Sequence, residues 1–286
     1  MKSARISRRA LALGAASAVV ARRAAALPGP PSVREVVLAG RRCTLVTPTP
    51  APPGPVPYAV LLHGLGETQD PKAGAWAWVE RYGLAAAIAR LDRPPVVAES
   101  KRGDFTEAAL KEVNALVAAR PVRPLAFVCP HMPNIQTTPE ARAYGEWIAR
   151  ELLPAAKAEA PLDPDPRRAI LGGCSLGAFV AIEAFLARPE AFGGWAGVQT
   201  AIFETSAAGY ATRLAEVLEK HGGRDFYLST STLDHYRKSS DALDQAMWRE
   251  QVRHTFRLSP GPHDQPWLRE VGTLELVLWL DRRLPS

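Results

Sequence analysis

The sequence predicts an α/β fold: a mostly parallel, eight-stranded sheet with helices on both faces. Three observations predict it. Short apolar runs alternate with helical patterns almost throughout, which is the mark of βα repeats. Several runs, residues 58–62 above all, are apolar at every position, as strands buried on both faces are. The chain has 286 residues, 47% of them apolar, enough for one large core.

The elements follow in order. Residues 35–38 and 42–46 are β runs joined at Ala39-Gly40, an antiparallel pair. Residues 47–57 carry Pro48, Pro50, Pro52, Pro53, Pro55 and Pro57, which excludes a central strand or a helix and leaves an extended surface connection. The strand at 58–62 opens into His63-Gly64-Leu65-Gly66-Glu67-Thr68, a glycine-rich loop at the strand end where α/β folds place ligands. Residues 76–90 have helical spacing through Trp76, Val79, Tyr82, Leu84 and Ile88. Residues 94–123 exceed a normal crossover. Asp104 is the expected cap of a helix there, which is either a cap over the site or a plain surface helix.

Beyond it come a strand at 125–129, ending in Pro130-His131, and a helix at 140–159 with Tyr144, Trp147, Ile148 and Leu152 inward. A strand at 169–174 leads into a helix at 176–188. Strands at 194–198, 225–230 and 254–258 then alternate with helices at 205–221, 241–253 and 268–283.

Residues 1–26 read as an export signal. Lys2, Arg5, Arg8 and Arg9 precede an apolar run at 10–21; Arg22 and Arg23 follow it, then the small-residue site Ala24-Ala25-Ala26. Ser7-Arg8-Arg9 before the apolar run resembles a twin-arginine signal. The reading places one domain at 27–286 and the protein outside the cytoplasm, periplasmic or extracellular. The formal net charge is +6, and the leader holds six positive and no negative residues, so the remainder is net neutral. A nucleic-acid or polybasic membrane role loses its support. No later run is long enough to span a membrane.

The chemistry concentrates in three strand-end loops. Gly173-Cys174-Ser175-Leu176-Gly177 is a Gly-x-Ser-x-Gly elbow. A serine that attacks a carbonyl must project from a tight turn. Side chains at 173 and 177 would collide with the neighbouring strand and helix, and glycine avoids this. The helix behind the serine points free N–H groups at a developing oxyanion. Asp234 follows the penultimate strand, and His263 follows the last. A histidine that takes the serine proton activates it, and a carboxylate on the other ring nitrogen holds the tautomer. Asp241 and Asp244 are the alternative acids.

The remaining candidates have blander readings. His63 is expected to brace its loop and His131 to be a satisfied loop residue; His221 and His254 are expected on the surface. His235 adjoins the proposed acid in sequence and is poorly placed as the base. Trp76, Trp78 and Trp267 wall the pocket or fill the core. Cys43, Cys129 and Cys174 are too few and odd in number for a disulfide framework, and Cys174 reads as a small elbow filler. No metal-ligand spacing and no phosphate loop is present in the sequence, so no cofactor or metal is expected.

These motifs resemble those of α/β-hydrolase serine esterases, close to the putative-esterase (esterase D-like) family. The Gly261-Pro262-His263-Asp264-x-x-Trp267 run is similar to that family's histidine signature, with the tryptophan one residue early. The His63–Thr68 loop and Pro130-His131 also resemble acyl-protein thioesterase-type carboxylesterases. The resemblance implies the α/β-hydrolase fold and a Ser175–His263–Asp234 triad that cleaves small-molecule carboxylic esters through an acyl-serine. It implies an oxyanion hole from the Leu65 and Leu176 amides. An acyltransferase on the same triad, or a non-catalytic binding scaffold, are the alternatives.

Overall fold

The computed structural model describes residues 29–284. The export-signal reading of residues 1–26 lies outside them. The strands are β1 (Gly29–Leu38), β2 (Arg41–Thr49), β3 (Tyr58–Leu62), β4 (Ala126–Pro130), β5 (Ala169–Cys174), β6 (Gly194–Val198), β7 (Asp225–Leu233) and β8 (Thr255–Pro262). The helices are α1 (Pro71–Trp76), α2 (Leu84–Asp92), α3 (Glu107–Ala119), α4 (Thr138–Trp147), α5 (Leu153–Glu159), α6 (Leu176–Ala187), α7 (Ala207–His221), α8 (Arg237–Arg249), α9 (Gln265–Trp267) and α10 (Thr273–Arg282).

Among these residues eight strands form one sheet in the order β1-β2-β4-β3-β5-β6-β7-β8. β2 runs antiparallel to both β1 and β4, and the remaining pairs are parallel. Alternation along β3 explains its wholly apolar sequence. Tyr58, Val60 and Leu62 face one core, with α4 to α8, while Ala59 and Leu61 face the other, with α2, α3 and α10. Each fully buried leucine contributes about 2 kcal/mol. Cys43 and Cys129 lie on neighbouring strands but in opposite cores, so they are not bridged.

Several boundaries differ from expectation. β2 continues through Pro48 because β4 pairs only with Cys43 to Val46, so no partner on that side needs an N–H from residue 48. The expected helix at 76–90 is broken at Gly83, whose φ of 72° turns the chain between α1 and α2. A Cβ there would lie 3.2 Å from Arg269 Cγ. α4 begins at Thr138, two residues early, because Thr137 and Glu140 form a reciprocal capping box. α8 begins at Arg237 rather than 241, directly behind the turn after β7.

The cap of α3 is Thr106, whose hydroxyl accepts the Ala109 N–H, and not Asp104. α3 packs with Val113 and Val117 in the α10-side core and is a surface helix, away from the strand ends that carry the site. Asp104 instead is buried and pairs with Arg102 at 2.9 Å; Arg102 also grips Asp264 at 3.0 and 3.2 Å, beside His263. Residues 99–105 therefore buttress the histidine loop from below.

At the other end of the sheet, Asp281 is fully buried at the C-terminus of α10. It accepts hydrogen bonds from the main chain (3.1 Å) and guanidinium (2.9 Å) of Arg123, with Arg120 at 3.0 Å and Arg282 alongside. Removing a buried carboxylate strands its cationic partners. Asp281→Ala should lose about 3 kcal/mol of folding free energy, read by urea unfolding, with specific activity of the folded fraction unchanged.

Candidate active site

Ser175 sits between β5 and α6 at φ 53° and ψ −121°, a conformation that side chains rarely adopt. Two glycines make the turn possible. A Cβ on Gly173 would stand 2.5 Å from the Gly177 carbonyl, and one on Gly177 would stand 2.3 Å from the Leu62 carbonyl oxygen. The turn is pinned from outside: Ser175 N–H donates to Val198 O at 2.9 Å, and its carbonyl accepts from Ala178, Phe179 and Ala201. The hydroxyl is left facing the cleft, ahead of the first turn of α6. Burial pushes the Cys174 thiol pKa up, so it remains a neutral filler beneath the serine.

The structure brings Ser175, His263 and Asp234 together. Ser175 Oγ lies 3.1 Å from His263 Nε2, and His263 Nδ1 lies 2.8 Å from Asp234 Oδ1. The ionised carboxylate only accepts, so Nδ1 carries the proton and Nε2 is free to accept from the serine hydroxyl. Asp234 is buried. Burial opposes its charge, but hydrogen bonds from His263, the Thr230 hydroxyl (2.7 Å) and the Tyr236 N–H (2.9 Å) outweigh that and hold its pKa below the ordinary value. The other acids are engaged elsewhere: Asp241 binds Arg237 at 2.7 Å, and Asp244 binds His254 at 2.8 Å.

The histidine loop is supported by Gln199, which sequence reading passed over, and by Trp267, which it left between pocket wall and core. Gln199 donates to Ser231 Oγ (2.8 Å) and Pro262 O (3.0 Å), tying the ends of β7 and β8. Trp267 is buried and donates to Ser259 and Pro260, each at 3.0 Å. Its indole lies against Gly261, where a Cβ would meet it at 2.4 Å and φ is 125°. Trp267 and Trp78 are core residues, and Trp76 donates to Glu35 at 2.6 Å, so none of the three walls the cleft.

The glycine-rich loop after β3 lies against the elbow: a Cβ on Gly64 would stand 3.8 Å from Ser175 Cβ. His63 is buried, accepts the Met132 N–H at Nε2 (2.9 Å) and so donates from Nδ1 to Gly64 O (2.8 Å). Burial lowers its pKa to about 4 and keeps it neutral. Leu65 begins the following turn and Leu176 begins α6, positions whose N–H has no intrahelical acceptor. His131 bonds Thr68 O at 3.2 Å. His254, expected on the surface, is buried between Val252 O and Asp244. Both partners precede it in the chain, by two and ten residues, and nothing in its own residue type announces this.

Two further members, Glu67 and Tyr82, were not singled out. Tyr82 looked like one more apolar position of a helix, and the break at Gly83 re-aims it. Its phenol accepts the Gly64 N–H at 3.0 Å and donates to buried Glu67 at 2.5 Å. His235 is exposed and lies against the His263 ring, with centroids 4.2 Å apart and the planes tilted by 36°. Among the described residues Asp234, His235 and His263 bring metal-ligand-type atoms within 4.8 Å of one another. The Asp234 oxygen and His263 Nδ1 are already spent on each other.

Ser175 and His263 open onto a cleft of about 630 Å³, with Asp234 buried behind the histidine. Leu176, Phe179, Ile202, Phe203, Tyr210 and Tyr236 give it a largely apolar and aromatic wall. Among the described residues no helix is long and apolar enough to cross a membrane.

Residues 129–278 match the model of the family described as "Putative esterase". No curated protein sequence matches the chain. Among solved structures, a ferulic acid esterase superposes with a TM-score of 0.62 at 15% identity, covering 88% of this chain and 97% of that one. S-formylglutathione hydrolase of Staphylococcus aureus gives 0.56 at 14% identity, over 87% and 95%. The enterobactin esterase of Shigella flexneri gives 0.52 at 18%, over 88% of this chain and 59% of its own. At these identities the neighbours carry the fold, which is the α/β-hydrolase fold. With the family match spanning more than half of its length, the chain belongs to the esterase family and is a carboxylic ester hydrolase of the serine-hydrolase type.

Proposed function

We propose that Ser175 is the nucleophile, His263 the general base and acid, and Asp234 the carboxylate that orients it. The observation that carries this reading is the continuous line from Ser175 Oγ to His263 Nε2 (3.1 Å) and from His263 Nδ1 to Asp234 (2.8 Å). Ser175 Oγ attacks the ester carbonyl carbon as its proton passes to His263 Nε2. The negative oxygen of the tetrahedral intermediate is held by the Leu65 and Leu176 N–H groups. The intermediate collapses, the alcohol leaves with the proton from His263, and an acyl-serine remains. Water then attacks the acyl carbon, gives its proton to His263, and the acid departs as Ser175 regains that proton. The apolar, aromatic wall favours small esters with an apolar acyl or alcohol part.

Ser175→Ala should lose about 10⁴-fold or more in kcat on activated short-chain esters. A fluorophosphonate probe should label the wild type at Ser175 and leave this variant unlabelled; equal labelling of both would exclude Ser175.

Asp234→Asn should lower kcat by about 10⁴-fold through the wrong histidine tautomer. It should also reveal a pH-dependent stability difference. A carboxylate whose folded pKa is depressed stabilises the fold fully above its ordinary value of 3.8 and ceases to do so as pH falls through the lower folded value. Urea unfolding of both proteins should show the wild-type advantage shrinking below about pH 4. An advantage that grows with acid would contradict the assignment.

Residues 1–26 we read as the export leader. Fractionated cells should yield an exported form whose N-terminus lies just after Ala24-Ala25-Ala26, by mass spectrometry. An uncleaved cytoplasmic form alone would exclude that.

A further inference from the structure

We propose that Tyr82, aimed by Glu67, is a positioning residue for ester hydrolysis: it locks the peptide on one side of Gly64 while His63 locks the other. This rests on the reading of Leu65 as an oxyanion donor. The Leu65 N–H belongs to the same planar peptide as the Gly64 carbonyl and points opposite to it. His63 Nδ1–H holds that carbonyl at 2.8 Å, and so sets the direction of the Leu65 N–H. The peptide before Gly64 is held by its own N–H, donated to the Tyr82 phenol at 3.0 Å. Glycine is the residue least able to hold its own φ and ψ. Here both planes flanking it are fixed by buried rings.

The direction of the Tyr82 bond is dictated by its partner. A phenol has one hydrogen, and Glu67 only accepts, so the O–H goes to Glu67 Oε2 at 2.5 Å and a lone pair is left for Gly64. Glu67 and Tyr82 are each 3% exposed, and the second carboxylate oxygen is held by Arg81 (3.2 Å) and Gln265 (3.3 Å). Glu67 therefore has no free oxygen for a substrate, although it borders the cleft. Gln265 follows His263 by two residues, so one carboxylate ties the oxyanion loop to the histidine loop. Tyr82 itself is anchored at its backbone, where its carbonyl accepts from Thr273 Oγ1 at 2.7 Å, and its ring meets Trp78 edge-on at 5.3 Å. The Gly64 N–H is spent on Tyr82 and does not serve the oxyanion.

The test compares Tyr82→Phe, Glu67→Leu and Glu67→Gln with the wild type, on one activated ester, with kcat expressed per serine titrated by fluorophosphonate. Tyr82→Phe leaves the Gly64 N–H without its acceptor and should lower kcat about tenfold to a hundredfold, with KM within about twofold. Glu67→Leu should fall similarly. Glu67→Gln, whose amide oxygen still accepts the phenol, should stay within about threefold. The double variant Tyr82→Phe/Glu67→Leu should be no worse than either single one, because both act through one hydrogen bond. A purely structural role would reduce the titratable fraction and leave kcat per site at the wild-type value, and that result overturns the proposal. Should Tyr82→Phe fail to fold, the contrast between Glu67→Leu and Glu67→Gln carries the test, and equal kcat in the two overturns it. If Ser175→Ala kept activity, the triad reading would fail instead, so the two failures are separable.

Discussion

The structure depends on one close approach of backbone to backbone. At Gly177 the first turn of α6 presses so near the end of β3 that a single methyl group would sit 2.3 Å from the Leu62 carbonyl oxygen and 2.5 Å from that of His63. That contact sets the serine turn directly against the glycine-rich loop. Ser175, at positive φ, is held by main-chain bonds to Val198 at the end of β6 and to Ala201 just beyond it. Ser175 and the glycine-rich loop thus belong to one packed unit, with little play between them.

The rest of the site is organised by which polar groups are already committed. His63 has both ring nitrogens engaged with main chain, His254 is shared between Val252 and Asp244, and His263 alone has an Nε2 turned to a hydroxyl in the cleft. The buried carboxylates follow the same logic. Asp234, Glu67, Glu183 and Asp281 each collect several donors, which is the condition for keeping charge away from water. Two of them, Asp234 and Glu67, brace the histidine loop and the glycine-rich loop. A third support comes from the segment before α3, through Arg102 and Asp264. Of the two readings of residues 94–123, a cap over the site or a plain surface helix, α3 is the surface helix, and the residues before it brace the histidine loop.

Much of this was legible along the chain, and the legible parts share a cause. The apolar runs of β3 and β5 are written residue by residue because a strand buried on both faces admits little else. The elbow is legible because its spacing is set within one strand–turn–helix unit, where a Cβ on Gly173 would meet the Gly177 backbone at 2.5 Å. Asp234 could be ranked first among three acids from its place after β7. The misreadings are also of one kind. The helix around Tyr82 has good apolar periodicity, and only the packing of Gly83 against Arg269 shows that it must break. The displacement of Asp104 from the cap of α3 likewise depends on a distant partner, since Arg102 carries it toward Asp264.

By itself, then, the sequence determined the layered sheet, the order serine, aspartate, histidine along the chain, and the strand ends on which they ride, because these follow from burial pattern and short-range sterics. The tertiary structure alone decided which carboxylate meets His263, that Asp104 supports a loop instead of capping a helix, and that a tyrosine 18 residues beyond Gly64 reaches back to hold it. Those outcomes turn on distances of about 3 Å between groups far apart in the chain, and a hydrogen bond is sensitive to displacements that no spacing rule along a sequence can resolve.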